Sequence, residues 1–371
     1  MTPQPKAAIG IKVKIAFYAP LKAPDHPVPS GDRQMARLLM KALAQGGFAV
    51  TLASSLRAFQ AEPRPLDDLR RAADAEVARL GQEWATDGKP DLWFTYHLYY
   101  KAPDLLGPAL ARRWQVPYVT AEASYAGKRD RQGWAEAQAL IREAVSLARV
   151  NLCFTDRDRP GLENVAPLGR FASLSPFIDT AAYEALPTPS PRARLTTIAM
   201  MRKGDKFASF TMLAKALRLI DDLPWHLTVI GDGPARTETI ALFDGLPADC
   251  IDWRGELAAE SVPSVLSEGG IYVWPGCGEA YGMAYLEAEA AGMPVVAQAT
   301  AGVPAVVRHG VTGLLTPAGD VQTYAAAIRE LLLDDAKREA YGRAARDFVF
   351  EERSLRLAAA TLGMILRGAA T

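Results

Sequence analysis

The stretch Pro275-Gly-Cys-Gly-Glu279-Ala-Tyr-Gly-Met-Ala-Tyr-Leu-Glu287 decides how this chain is read. The apolar run Ile271-Tyr-Val-Trp274 leads into it, and Gly292-Met-Pro294-Val-Val follows. The order is strand, glycine loop, helix, stop, strand. Such a layout brings a ligand to a helix N-terminus, where free N–H groups and the helix dipole favour an anion. Glu279 and Glu287 can accept hydrogen bonds from hydroxyls around that anion. Phosphate together with hydroxyls describes a nucleotide or a nucleotide-sugar. By spacing alone, Glu279 also reads as a first-turn acid and Glu287 as an exposed helical residue. The glycines at 276, 278 and 282, and a helix otherwise made of small and apolar residues, favour the ligand reading.

Outward from this loop the same alternation recurs. Towards the N-terminus, short apolar runs at 12–18, 48–53, 91–95, 117–120 and 151–155 are expected strands. They are separated by helical patterns at 31–45, 64–86, 103–114 and 134–149. A second series has strands at 195–199, 226–230, 250–253, 271–274 and 294–297, with helices between them and a helical end from 320 interrupted near 351–353. A β-α-β-α series is the signature of a parallel sheet covered by helices on both faces. Between the two series, Pro187, Pro189 and Pro191 put three prolines in five residues, the best linker candidate. The expected organisation is a first domain over 1–186, a linker over 187–194, a second domain over 195–346 and C-terminal helices over 347–371. In such sheets ligands bind beyond the carboxyl ends of the strands, so two such domains predict a cleft between them.

Composition excludes several classes. The 371 residues are too many for one ordinary core. Hydrophobic residues make up 49% and charged residues 23%, as in a soluble globular protein. The formal net charge is zero, which gives no reason to expect nucleic acid. Residues 1–185 hold 24 Lys+Arg against 20 Asp+Glu, a mild excess that leaves room for an anionic acceptor or a membrane surface. Cys153, Cys250 and Cys277 are odd in number and far apart, so a reduced, cytoplasmic setting without a cysteine metal site is expected. No apolar run approaches the ~20 residues of a membrane span. A dehydrogenase reading fails because no Gly-x-Gly-x-x-Gly follows the first strand.

Four further segments sit where strands give way to loops. Met200-Met-Arg202-Lys-Gly-Asp-Lys206 reads equally as a solvated basic turn or as a guanidinium and an ammonium presented to a diphosphate, with Lys203 a rival to Lys206. Gly231-Asp-Gly233-Pro234 is a backbone device for close approach, weak by itself. Ser30-Gly31-Asp32 opens a helix; Gly31 reads either as part of a plain cap or as a seat for a phosphate or acceptor. His97, in Thr95-Tyr96-His97-Leu98, stands at a strand's carboxyl end in a chain with four histidines, and reads as structural or as facing the cleft. Glu122, Tyr125 and Lys128 are plausible acceptor contacts. Asp156-Arg-Asp158 has metal-site spacing but reads as an ordinary exposed pair.

Glu279-x7-Glu287, followed by Ala-Glu-Ala-Ala-Gly-Met-Pro-Val-Val and Gly302-Val-Pro, resembles the donor-site signature of retaining glycosyltransferases of family 4 (glycosyltransferase group 1). The likeness covers roughly residues 198–346; the N-terminal half matches in layout more than in residues. The resemblance implies an α/β protein with two Rossmann-like, doubly wound domains facing a cleft, the GT-B fold, with the last helices crossing back to the N-terminal domain. It implies transfer of a sugar, with retention, from a nucleoside-diphosphate sugar (UDP- or GDP-) to a carbohydrate, lipid-linked or small-molecule acceptor, with no metal or other cofactor. It assigns the donor diphosphate to Arg202, Lys206, Gly31 and the Gly282-Met283 backbone, and the ribose to Glu287. It assigns the reacting sugar to Glu279 and His97, and the surroundings of the nucleotide to Gly231, Gly233, Arg254 and Leu257. The usual Gly-Arg-Leu start is Met-Arg-Lys here, and the gap to Lys206 is short. A nucleotide-sugar-binding protein without transfer, or an epimerase of the same fold, would share these features. A phosphorylase would normally be longer and carry pyridoxal phosphate.

Overall fold

Leu92–Tyr96 is a strand whose five side chains are all buried, as expected for the middle of a parallel sheet covered on both faces. It is the third of six strands: β1 (Lys14–Tyr18), β2 (Ala49–Ser54), β3 (Leu92–Tyr96), β4 (Tyr118–Ala121), β5 (Val150–Cys153) and β6 (Phe171–Ser173). They form one parallel sheet in the order β2-β1-β3-β4-β5-β6. The helices between them are α1 (Gly31–Gln45), α2 (Asp67–Asp87), α3 (Gly107–Trp114), α4 (Ala135–Leu147) and α5 (Arg159–Val165). α1 starts where Ser30 accepts a hydrogen bond from the Arg33 N–H at 3.2 Å and stops at Gly46, as the cap residues predict. The sequence pattern does not foretell α5 and β6. Neither Arg-Pro-Gly-Leu-Glu-Asn-Val nor Phe-Ala-Ser carries an apolar run or a helical period that would mark it.

The computed structural model describes residues 12–186 and 194–369. Those up to Leu174, with those from Ala358 on, form one compact unit; Ser175 to Leu357 form the other. The expected linker 187–194 lies outside the described residues except for Arg194, which opens a strand. Residues 175–186 are built into the second unit: Ile178 pairs with Ser354, and the Arg346 guanidinium donates to the Tyr183 carbonyl at 2.7 Å. The final helix, α13 (Leu355–Arg367), begins in the second unit; its later part packs within the first, where the Arg367 guanidinium reaches the Gly46 carbonyl at 3.4 Å.

In the second unit the elements are α6 (Ala181–Glu184), β7 (Arg194–Ile198), α7 (Asp205–Arg218), β8 (His226–Ile230), α8 (Arg236–Ala241), β9 (Ile251–Gly255) and α9 (Val262–Leu266). They continue as β10 (Ile271–Val273), α10 (Met283–Ala290), β11 (Val295–Gln298), β12 (Gly313–Thr316), α11 (Val321–Leu333) and α12 (Asp335–Glu352). The sheet is parallel in the order β12-β11-β10-β7-β8-β9. The chain leaves β7 towards β8 on one side, while β10 lies on the other. The loops after β7 and β10 therefore diverge, which makes the switch point where open sheets bind ligands. The helical end breaks at Asp334, which caps α12 by accepting from the Lys337 N–H at 2.9 Å, and again at Arg353.

One buried carboxyl anchors the first unit. Asp104 accepts hydrogen bonds from the Thr95 hydroxyl (2.6 Å), the Tyr118 hydroxyl (2.8 Å) and the N–H groups of Leu106 (2.9 Å) and Gly107 (2.8 Å). It ties β3 and β4 to the start of α3. Removing it strands several buried donors, each costing about 1–3 kcal/mol. Asp104→Ala is expected to destabilise the first unit by about 3 kcal/mol or more in urea titration. Asp104→Asn, which keeps an acceptor oxygen, should lose less.

Candidate functional site

In the second unit the switch-point loops bring three things together. Lys206 lies in the first turn of α7, Glu279 in the loop after β10, and the start of α10 directly after that loop. The Lys206 ammonium donates to Glu279 Oε1, and the Trp274 indole N–H donates to the same oxygen at 3.1 Å. Lys206 also sits over the Trp274 ring, 5.4 Å from its centroid. Both charged side chains are mostly buried, 21% exposed for Lys206 and 15% for Glu279. Lys206, expected from the sequence to meet a diphosphate, here touches Glu279. Lys203 points elsewhere, 66% exposed and paired with Glu238 at 2.7 Å. Arg202 is exposed.

The loop that carries Glu279 is held from three elements. The Cys277 N–H donates to Ser209 Oγ of α7 at 2.9 Å. Gln298, ending β11, donates to the Pro275 carbonyl at 3.2 Å, and Thr300 donates to the Gly276 carbonyl at 3.1 Å. None of these supports is visible in the sequence, because each comes from a different strand, helix or loop. Gly282 caps α10 at φ 80°, with its missing Cβ 2.6 Å from the Tyr285 ring. Only glycine fits there, and no side chain caps the helix or places an acid in its first turn. The first N–H groups, Met283 among them, remain as anion donors. Glu279 is expected from the sequence near the helix start; it lies four residues before α10, free of the first turn.

Glu287 is the fifth residue of α10 and half-buried. Burial alone raises its carboxyl to about 7. Its charge in turn raises the Tyr183 hydroxyl, after burial itself. Glu289, two residues on, is fully buried; burial lifts its carboxyl well above the usual range, against the Thr312 hydroxyl and the nearby Arg353 and Arg308.

The glycine pair after β8 has a structural cause. A Cβ on Gly231 would stand 2.0 Å from the Ala199 carbonyl oxygen, and one on Gly233 2.3 Å from that of Met201. The Met201 N–H donates to the Asp232 carbonyl at 2.9 Å. These glycines let the loops after β7 and β8 lie against each other, which places the Arg202 segment. Arg254, exposed, pairs with Asp252, and Leu257 is half-buried.

The first unit holds a second cluster, also at strand ends. His97 follows β3 and Glu122 follows β4, both with left-handed backbone, φ 58° and 54°. The His97 N–H donates to the Ala121 carbonyl (2.8 Å) and the Glu122 N–H to that of Leu152 (2.9 Å), one step beyond each strand. Left-handed non-glycine residues cost of order 1–2 kcal/mol, and such strain gathers at functional sites. His97 Nδ1 is 3.1 Å from Asp32 Oδ1, an ion-pair distance, though the N–H is not aligned for a hydrogen bond. Asp158, expected to be exposed, is half-buried and accepts from the Ser124 hydroxyl at 2.7 Å. Sequence reasoning thus misses Asp32 and Asp158 as neighbours of His97. Gly31, beside Asp32, has nothing within 4 Å of the place a Cβ would take, so packing does not demand glycine there.

Among the described residues no group of three or more His, Cys, Asp or Glu is arranged to hold a metal. No helix among them is long and apolar enough to cross a membrane.

Comparison with known proteins follows the same lines. Residues 192–334 match the family described as glycosyl transferases group 1. A sulfoquinovosyl transferase of Arabidopsis thaliana is 35% identical over 133 residues, covering 35% of this chain and 26% of that protein. A GDP-mannose-dependent alpha-(1-6)-phosphatidylinositol monomannoside mannosyltransferase of Mycobacterium tuberculosis is 30% identical over 224 residues, covering 54% of this chain and 57% of that protein. The chain therefore spans between about a quarter and three-fifths of the curated relatives it matches first. In structure, the sucrose-phosphate synthase of Thermosynechococcus elongatus aligns with a TM-score of 0.73 at 18% identity, covering 96% of this chain and 99% of that one. The Anabaena Alr3699/HepE protein, solved with UDP-glucose, aligns with a TM-score of 0.71 at 17% identity, covering 96% and 99%. At such identities the structures speak for the fold, and the sequence match speaks for the family. Residues 192–334 thus resemble the group 1 glycosyltransferases, and the chain has the GT-B fold of two parallel α/β units.

Proposed function

We propose that this protein is a retaining glycosyltransferase that moves a sugar from a nucleoside-diphosphate sugar, UDP- or GDP-linked, to a hydroxyl of a carbohydrate, lipid-linked or small-molecule acceptor. The observation that carries the reading is the meeting of Lys206, Glu279 and the uncapped N-terminus of α10 at the switch point of the second unit. When the sugar leaves, negative charge develops on the diphosphate. Fixed cations and helix N–H groups stabilise it without reorganisation. Lys206, Arg202 and the Gly282-Met283 backbone fill that role. Lys206 has three N–H donors, so it can hold Glu279 and a phosphate oxygen together.

Glu279, fixed by Lys206 and Trp274, accepts hydrogen bonds from hydroxyls of the transferred sugar. Glu287 accepts from the ribose hydroxyls. The segments at Gly231-Gly233 and Arg254-Leu257 border the nucleotide, and Gly31 leaves room for an approaching phosphate or acceptor. His97 contacts the transferred sugar. The departing phosphate oxygen takes the acceptor proton, so no separate base or metal is invoked. Two similar proteins fit this reading: the mycobacterial enzyme is GDP-mannose-dependent, and the Anabaena protein was solved in complex with UDP-glucose.

Thermal unfolding of the full chain with UDP-, GDP- and ADP-sugars tests the donor assignment. One base series should raise Tm, and that donor should be slowly hydrolysed without acceptor. Saturation by a nucleotide-sugar without any turnover would leave a binding protein. No shift with any of the three would overturn the reading.

A further inference from the structure

We propose that Asp32 is a positioning residue that holds His97 as an imidazolium, so that His97 serves the transfer as a fixed cationic hydrogen-bond donor and not as a proton acceptor. The proposal rests on the transferase reading for what His97 acts upon, and on the first unit alone for its charge.

The geometry brings charge to the ring from several elements. Asp32 arrives from the first turn of α1, with its Oδ1 3.1 Å from His97 Nδ1. Glu122 arrives from the end of β4, on a left-handed residue that continues the strand ladder beside His97. Asp158 arrives from the start of α5, fixed by Ser124 at 2.7 Å. Lys22, from the loop after β1, acts on Asp32. The Tyr96 and Tyr99 rings flank the imidazole at 5.6 Å and 5.2 Å between centroids. Asp32 thus lies at ion-pair distance from the imidazole, Glu122 and Asp158 act on it through their charge, and Lys22 acts on Asp32.

Burial works against a charged imidazole. Glu122, Asp32 and Asp158 outweigh it and raise His97 to about 9. Asp32 shows the reciprocal effect: burial opposes its charge, but His97 and Lys22 carry it below the usual carboxylate range. Burial lifts Glu122 to about 7, against the pull of His97. At neutral pH His97 and Asp32 form the lasting ion pair, and Glu122 is the group that titrates. An imidazolium has no lone pair and cannot take a proton. With Nδ1 turned to Asp32, Nε2–H is the donor offered to a ligand.

The test has two readouts on the full chain. Carbon-13 histidine NMR, with His97 assigned through His97→Gln, follows the charge directly. The wild-type signal should titrate near 9, and Asp32→Asn should lower that midpoint by about a unit or more, with Asp32→Glu restoring most of it. Turnover of the donor is then compared at pH 6 and pH 8.5. The ratio of Asp32→Asn to wild-type kcat should fall about threefold or more between them, because the variant loses most of its imidazolium in that interval and the wild type keeps most of its own. A wild-type midpoint near the ordinary histidine value, or a variant equally impaired at both pH values, overturns the proposal. Failure of the transferase reading shows separately, as no turnover of any nucleotide-sugar by the wild type.

Discussion

Lys206→Ala is expected to lower kcat/KM for the proposed sugar transfer by about a hundredfold or more, and Lys203→Ala to change it by less than about threefold. The two lysines are three residues apart, and the chemistry of the sequence permits either. Their settings differ. Lys206 is held in a mostly buried position by Glu279 and the Trp274 ring, beside the start of α10. A charge-assisted bond to a diphosphate oxygen in such a place strengthens as the leaving group gains charge. Lys203 makes a surface pair with Glu238, and exposed pairs of this kind contribute little, because water screens them. Steady-state rates with varied donor decide the matter. The loss should fall on kcat as well as KM, since the interaction is strongest in the transition state. A silent Lys206 variant beside an impaired Lys203 variant would move the diphosphate to the outer side of the loop.

Glu287→Gln is expected to weaken nucleotide-sugar binding about tenfold or more at pH 8, with a smaller effect at pH 6. In the proposed site the ribose hydroxyls donate to the Glu287 carboxylate, so its ionised form is the one expected to bind. Burial raises that carboxyl to about 7, so wild-type affinity should climb as pH rises towards 7 and level off above it. The donor's diphosphate is esterified at both ends and does not titrate in this interval, so the slope belongs to the protein. Calorimetric titration between pH 5.5 and 8.5 measures it. A wild-type affinity flat across that range would remove Glu287 from the ribose.

The same residue predicts a cost. In the unfolded chain Glu287 titrates at its ordinary value of 4.5, and in the folded protein at about 7. Between these values the folded state holds a proton that the unfolded state has released. Stability from this group is full below pH 4.5, falls through the window from 4.5 to 7, and is lost above it. Glu287→Gln should therefore raise Tm at pH 8 relative to wild type and leave it nearly unchanged near pH 4.5. A variant that binds worse and folds better identifies a carboxyl kept for its ligand.

How much of the fold and site is legible in the sequence depends on chain distance. α1 runs from Gly31 to Gln45 and β8 from His226 to Ile230, as their caps and apolar runs predict. β12 and β6 escape because Gly-Leu-Leu-Thr and Phe-Ala-Ser hold no apolar run that stands out, unlike the equally short Ile-Tyr-Val of β10. The loop from Pro275 to Gly282 is legible as a ligand loop because glycines, strand and helix are contiguous there. Its supports, Ser209, Gln298 and Thr300, are not, since each reaches it from elsewhere in the fold. Gly231 and Gly233 read in sequence as room for a ligand; the backbone of Ala199 and Met201 fills that room.

By itself the sequence determined the alternation of strands and helices, and with it two parallel sheets whose loops collect at strand ends. It also determined the glycine loop before α10. Both are local properties, written in period, cap and turn chemistry within a few residues. The tertiary structure alone decided that Lys206 and not Lys203 meets Glu279, and that Asp32, Glu122 and Asp158 gather around His97. Strand order places those residues together across the sheet, and burial then sets their charges. The Pro275–Glu287 stretch named the helix end and its two carboxylates. The fold supplied the lysine and the tryptophan that hold one of them, and the burial that keeps the other near its titration point.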